Sequence, residues 1–283
     1  MPVSTSGKRI FFIGTSSVIV SMALISGAPA QPNAAPPDLS SGDAAWYHFG
    51  PEIAAVPGFP GPGPVHDDPA YHHVNNTEAG QASYRIGDLS DPNLTQWAKD
   101  IMKKDNDEVI HGKVAYLAHQ SCTPAGVPDF DMVRGARPIY FVQTPKEVLM
   151  IWAGDQQVRH VYLNVPHSKD PKPSWYGESV GHYEGKTLVI DTIGLNTRTF
   201  VDEYRTPHSD KLHVLERWTV SDDGKTLNIT VVVDDPATFN KPWSGTTNFR
   251  RRQQRMIEIS CAENPQHFEN YDFHIPVADK ADF

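Results

Sequence analysis

The sequence predicts a mainly β fold, an antiparallel curled sheet or lipocalin-like β-barrel with a few short helices and a long N-terminal arm. From Pro138 onward, segments rich in Val, Ile, Tyr, Trp and Thr alternate with short runs of turn residues. The segments between them are too short for the crossover helices of a parallel α/β sheet. Two turns, Glu184-Gly185 and Asp223-Gly224, are each followed by Lys-Thr-Leu and mark hairpins.

Residues 1–30 read as a secretory signal peptide. Lys8 and Arg9 precede an apolar run from Ile10 to Ile25, and Gly27-Ala28-Pro29-Ala30 supplies small residues for cleavage after Ala30. The expected location is therefore periplasmic or secreted. Residues 31–69 form a Pro/Gly-rich arm, with Pro36-Pro37 and Gly61-Pro62-Gly63-Pro64 within it. Such composition is expected not to sustain helix or ladder bonding, and Trp46, Tyr47 and Phe49 would tether it. Residues 70–283 are expected to form one β-rich domain. It includes a helix near 92–103, with Asp91 as N-cap, Pro92 in the first turn, and Leu94, Trp97, Ala98, Ile101 and Met102 along one face.

The expected strands are 139–143, 148–153, 158–165, 179–184, 187–192, 213–220, 226–234 and 248–260. The Asp223-Gly224 turn sets Val214, Glu216, Trp218 and Val220 on one face with Leu227, Ile229, Val231 and Val233, and sets His213 opposite Asp234. Glu216 is thus an acid in an apolar layer, which demands a partner or a proton. It reads either as a functional acid or as half of a structural Glu–Arg or Glu–Tyr pair. The Glu184-Gly185 turn is expected to set Thr187 opposite His182, Val189 opposite Val180 and Asp191 opposite Glu178. His182, Glu178 and Asp191 then share one face with two valines. In the strand before it, His160 and Tyr162 alternate with Arg159 and Val161.

The net charge of −9 becomes −11 without Lys8 and Arg9, the only charges in residues 1–30. A chain this acidic offers no footprint for nucleic acid. The cluster Arg250-Arg251-Arg252 with Arg255 is split between faces by strand periodicity and reads as a solvated or homodimer-contacting strand. Cys122 and Cys261 are the only cysteines and leave one disulfide open in an exported protein. Standard signatures for phosphate loops, dinucleotides, serine nucleophile elbows and zinc helices are absent, so no cofactor or metal is expected.

One further reading comes from resemblance. The block Val158-Arg159-His160-Val161-Tyr162-Leu163, Pro166-His167, Trp175-Tyr176-Gly177-Glu178-Ser179-Val180-Gly181-His182 and Asp191-Thr192-Ile193-Gly194-Leu195-Asn196 resembles a large family of exported, mostly uncharacterised bacterial β-rich proteins. Pro207-His208-Ser209, Leu212-His213-Val214-Leu215-Glu216-Arg217, Asp234-Asp235-Pro236 and Lys241-Pro242-Trp243 extend the resemblance over about residues 120–264. It implies a barrel-like exported fold whose signature polar positions fall here on His160, His167, Trp175, Glu178, His182, Asp191, Asn196, His208, His213 and Glu216.

The expected function is a cofactor-free acid/base enzyme, a lyase or isomerase acting on a small aromatic molecule such as a lignin-derived phenolic dimer by proton abstraction and elimination. In this scheme His182 or His160 is the base, Glu216 orients or protonates it, and Glu178 and Asp191 complete an acid cluster. Tyr162 or Arg198 steadies oxyanion charge. Trp175, His167, Asn196, His208 and Trp218 would bind the substrate. The alternatives are a non-catalytic periplasmic binding protein for an apolar ligand, with Trp218, Trp175 and Tyr162 as walls, and a metal-assisted hydrolase. The scheme rests on Glu178, His182, Asp191 and Glu216 turning together into a sheltered hollow.

Overall fold

The computed structural model describes residues 35–56, 61–71, 86–111, 123–132, 138–153 and 157–257, with backbone at 267–268 and 271–272. The expected signal peptide and both cysteines lie outside the described residues.

Nine strands close into a barrel in chain order: β1 (Ala44–Ala55), β2 (Ile139–Gln143), β3 (Glu147–Trp152), β4 (Val158–Leu163), β5 (Glu178–Glu184), β6 (Thr187–Ile193), β7 (His213–Val220), β8 (Thr226–Asp234) and β9 (Trp243–Gln253). Among the described residues one α-helix, α1 (Gln96–Ile110), accompanies them. The fold class is as expected, with four corrections of detail.

First, the arm contributes β1, which pairs with β9 through eight register partners from Ala44↔Gln253 to Ala55↔Gly245 and closes the barrel. The stretch Ala44-Ala45-Trp46-Tyr47-His48-Phe49 is free of proline, and Pro51 falls where the register shifts between Phe49 and Ala54, a position where a missing N–H costs no ladder bond. Gly245 is required opposite, because a Cβ there would lie 2.1 Å from Ile53 Cγ2. Second, β4 and β5 run parallel, with Tyr162↔Val180, so the sheet is mixed. Third, β9 begins at Trp243 rather than at 248, since Trp243 already pairs with Val233.

Fourth, α1 starts later than expected. Its N-cap is Thr95, whose Oγ1 accepts from Ala98 N at 3.3 Å. Asp91 instead folds back on Asn93 N at 2.7 Å, Asn93 bonds both the N–H and the carbonyl of Lys241, and Leu94 bridges to Phe239. Tertiary strapping of residues 91–95 thus overrides the local start signal. The helix buries Ala98, Met102 and Asn106, while Trp97 faces outward.

The barrel is packed rather than hollow. Trp46, Phe141, Met150, Val161, Leu188, Ile190, Trp218, Ile229, Val231 and Phe249 fill it, each essentially inaccessible. Leu39 from the arm plugs the end where β2, β4 and β5 finish, and Trp46 Nε1 donates to its carbonyl at 3.0 Å. Leu195, Val201, Tyr204, Leu212, Phe130 and α1 add to the same apolar core. Among the described residues no helix is long and apolar enough to cross a membrane.

Candidate active site

Because β4 and β5 are parallel, residues 164–177 must return the chain along the barrel before β5 can begin. Asn164 (φ 58°) opens this return and Gly177 (φ 63°) ends it. A Cβ at Gly177 would lie 2.4 Å from the Ile193 carbonyl oxygen, so only glycine fits there. The returning segment is stitched to the end of β6 by Ser174 N to Gly194 O (3.1 Å) and Asn196 N to Ser174 O (2.9 Å).

Midway along, His167 pins the segment to the strands. Its Nδ1 lies 3.0 Å from Glu178 Oε1 and its Nε2 lies 2.9 Å from Asp191 Oδ1. Carboxylates only accept, so both contacts are hydrogen bonds when the ring carries a proton on each nitrogen. His213 Nε2 reaches the same Asp191 Oδ1 at 3.0 Å, and Ser168 N donates to Glu178 Oε1 at 2.7 Å. The hydrogen bond from His213 holds the Asp191 carboxyl below its usual range and outweighs the opposing effect of burial; the bond from His167 adds to it. Reciprocally, the bond to Asp191 raises the His213 imidazole. Glu178 is also lowered: burial, the largest single influence, pushes it up, and the bonds from Ser168 and His167 together outweigh that.

Beside this cluster a groove of about 440 Å³ runs between the returning segment and the outer face of the barrel. Val180, Val189 and Leu215 give it apolar surface, and His167, His182 and Asp191 line it. His182 Nε2 lies 3.0 Å from Glu184 Oε1, and Glu184 is held by Arg217 Nη2 at 2.7 Å. The tautomer that satisfies Glu184 carries its hydrogen on Nε2 and leaves a lone pair on Nδ1.

The expected inward hollow is therefore corrected. Glu178, His182 and Asp191 do share a face, but it is the outer one, because the inner positions of β5 and β6 are Ser179, Gly181, Leu188, Ile190 and Thr192. The β5–β6 register is also shifted by two residues from expectation: His182 pairs with Val189, Val180 with Asp191 and Glu178 with Ile193. The turn is the two-residue Gly185-Lys186 between Glu184 and Thr187, which keeps each residue on its expected face while changing its partner. The β7–β8 register is as read, Val220↔Leu227 to His213↔Asp234.

Glu216 points inward with no exposure, but into packed protein. Arg159, also fully buried, donates Nη1 to Glu216 Oε1 at 2.9 Å and Nη2 to Oε2, and Trp218 Nε1 donates to Oε1 at 3.0 Å. Nε and Nη2 also donate to Ser179 Oγ, and Nη2 to Thr192 Oγ1. Glu216 and Trp218 thus belong to the interior and are separated from His182 by the sheet.

The other expected site residues scatter. His160 and Tyr162 stack on the outer face of β4 with ring centroids 6.0 Å apart, and His160 Nδ1 meets Glu147 Oε2 at 3.1 Å. Arg198 lies over the Trp175 ring at 4.5 Å, and Asn196 Oδ1 accepts from Arg198 N in the loop that follows β6; none of the three lines the groove. His208 is buried: Nδ1 donates to Ser209 O (2.9 Å), Nε2 accepts from Thr199 Oγ1 (2.8 Å), and burial lowers its pKa. Of the expected residues, the fold brings together His167, Glu178, His182 and Asp191.

Sequence reading underweighted two residues. His213 appeared as a partner of Asp234, and the β6–β7 register, which places Asp191 beside Leu215, is what carries it to Asp191. Arg159 is found by noting that it alternates out of phase with exposed His160 and so must point inward. Among the described residues no three His, Cys, Asp or Glu side chains converge as metal ligands. Comparison of the chain with family models, with curated proteins and with solved structures finds no match.

Proposed function

We propose that this protein is an exported acid/base enzyme that acts on a small, largely apolar molecule in the outer groove, by proton abstraction followed by elimination or isomerisation. An aromatic substrate, including a phenolic dimer of the lignin type, fits the apolar surface formed by Val180, Val189 and Leu215. The observation that carries the reading is the convergence of His167, His182 and Asp191 on one apolar-floored groove, with each imidazole oriented by a carboxylate. In His182 that pairing is what proton transfer requires, with Nε2 committed to Glu184 and Nδ1 left to act as the base, whereas His167, bonded through both nitrogens, positions the cluster.

In this scheme His182 Nδ1 removes a proton from carbon or from a phenolic hydroxyl. The released electron pair forms the new double bond as the leaving group departs. The proton for the leaving group comes from the Glu178–His167–Asp191–His213 cluster, which solvent reprotonates, and His182 releases the proton it took to solvent. Asp191 serves both imidazoles and is the positioning residue.

The test is depletion of aromatic metabolites by purified protein, followed by products, beside His182→Gln and Asp191→Asn. Turnover is expected to fall about 100-fold or more in His182→Gln, the size of a lost general base. The melting temperature is expected to stay within a few degrees, because His182 is exposed. Undiminished turnover in both variants refutes the assignment; binding without depletion by the wild type points to a carrier instead.

A further inference from the structure

A second cavity, of about 510 Å³, lies at the barrel end that the arm closes. It belongs to the inner side of the sheet, where Leu163 and Tyr183 finish β4 and β5, whereas the groove above lies on the outer side. Its volume is within the range of small-molecule sites, roughly 300–1,000 Å³.

Its walls are specific. Pro36 and Pro37 come from the arm and Pro145 from the β2–β3 turn, and with Leu163 and the Tyr183 ring they offer a set of apolar, rigid surfaces. The arm is held there by one side chain. Gln143 Oε1 accepts from Leu39 N (2.7 Å), Ser40 N (3.0 Å) and Ser40 Oγ (3.1 Å). Three donors on that atom fix the amide orientation, so Nε2 is the group that donates to Pro37 O (2.9 Å) and to Tyr183 Oη (2.8 Å).

Tyr183 Oη therefore accepts from Gln143 and keeps its own hydrogen to give. Among the described residues nothing takes it, although the hydroxyl is half-buried on the cavity wall. Burial raises its pKa, which keeps that proton in place at neutral pH. The rim carries Asp38, whose charge is offset by Arg251 at 3.3 Å, so the cavity presents no unpaired charge from this residue to a guest.

We infer that this mouth cavity is a binding site for an uncharged aromatic molecule whose carbonyl or ether oxygen accepts a hydrogen bond from Tyr183, its ring lying among Pro36, Pro37, Pro145 and Leu163. The site shares only Asn164 with the lining of the outer groove and does not depend on the catalytic reading. Pre-ordering of the arm by Gln143 means that no loop has to close on the guest.

The experiment is ligand-observed ¹⁹F NMR on the full exported chain with 4-fluoroacetophenone, an aryl ketone, and 1-fluoro-4-propylbenzene, which lacks the acceptor. The ketone is expected to bind more tightly than the hydrocarbon. Tyr183→Phe keeps the ring and removes the donor, and is expected to weaken the ketone about threefold to tenfold, the size of one hydrogen bond, while leaving the hydrocarbon unchanged. Gln143→Leu releases the arm and is expected to weaken both probes. Asp191→Asn, whose side chain lines the outer groove and not this cavity, is expected to leave the Tyr183-dependent preference for the ketone in place. Absence of ketone binding to the wild type at its solubility limit overturns the inference. So does equal ketone affinity in Tyr183→Phe, or a loss in Asp191→Asn as large as that in Tyr183→Phe, which would put the ligand in the groove.

Discussion

Replacing Glu216 by Gln separates a structural acid from a catalytic one. Arg159 and Glu216 have no exposed side-chain surface, and Glu216 accepts from two guanidinium nitrogens and from Trp218 Nε1. Neutralising the carboxylate leaves the guanidinium charge buried without its counter-ion, which costs about 3–5 kcal/mol. The Gln oxygen still accepts one bond, so the lower end is expected. Arg159→Met strands the carboxylate instead and belongs to the same range.

The paired substitution Arg159→Met with Glu216→Leu removes both charges. Ser179 Oγ and Thr192 Oγ1 keep each other at 2.9 Å, and Trp218 Nε1 is left as the buried donor without an acceptor, a cost of about 1–3 kcal/mol. Well-packed apolar replacement of a buried ion pair gains about 1–4 kcal/mol, so the double variant is expected within about 2 kcal/mol of wild type. The Glu216→Leu single, which strands the guanidinium with no acceptor left in its place, is expected near the upper end of the range of about 3–5 kcal/mol, so with Arg159→Met it closes a double-mutant cycle whose coupling energy exceeds about 3 kcal/mol. Urea unfolding followed by circular dichroism at neutral pH, with equal slopes, measures it. A Glu216→Gln variant within about 1 kcal/mol of wild type, or a double variant as unstable as the sum of the two singles, refutes the assignment of Glu216 to the frame.

The remaining predictions concern the cluster, the closed ends and the returning segment. NMR titration is expected to place His213 above the ordinary histidine range and to return it there in Asp191→Asn, since the Asp191 bond is the main cause of the rise. Stability from the His213 side is full below about pH 6.5 and is lost as pH rises through the elevated pKa. On the Asp191 side it is lost as pH falls through the lowered one. The pair thus contributes most at mildly acid pH, and with both side chains over one-third exposed its worth is under about 1 kcal/mol. Asp202 behaves oppositely: burial raises it to about 6, so the folded chain holds a proton that the unfolded chain has released above about pH 4. Stability is then expected to drop by about 3 kcal/mol between pH 4 and 6, and Asp202→Asn to flatten that slope in thermal melts. Gly177→Ala should cost about 2 kcal/mol or more by denaturant unfolding, from the left-handed backbone and the Ile193 carbonyl together. Leu39→Ala should cost about 2–5 kcal/mol by the same measurement, as loss of a fully buried plug.

Alternation along single strands made the barrel legible. The face of Glu216 followed from the Asp223-Gly224 turn and the apolar run of β8, and the structure keeps that register residue for residue. The Glu184-Gly185 signal predicts a pairing two residues from the one formed, and parity alone keeps Glu178, His182 and Asp191 on a common face. Sequence could not say whether that face was inside, because both of its neighbours were unknown. The inner face of β5 is lined by Ser179 and Gly181, small residues that look like solvent positions until Arg159 is seen filling the space above Ser179. Likewise Asp91-Pro92 is a sound local helix start, defeated by contacts to residues 237–241 that lie far along the chain.

The amino-acid order by itself determined the β class, seven strands within a residue or two, the β7–β8 face pattern and the demand of a buried Glu216 for a partner, because these depend on period-two alternation and on turn chemistry between adjacent residues. Tertiary structure alone decided that β1 closes the barrel, that β4 and β5 run parallel, and hence that His167 is carried back to Glu178 and Asp191 on the outer wall. The physical reason is that non-neighbouring strands choose each other by the packing of the whole interior, which no local periodicity encodes.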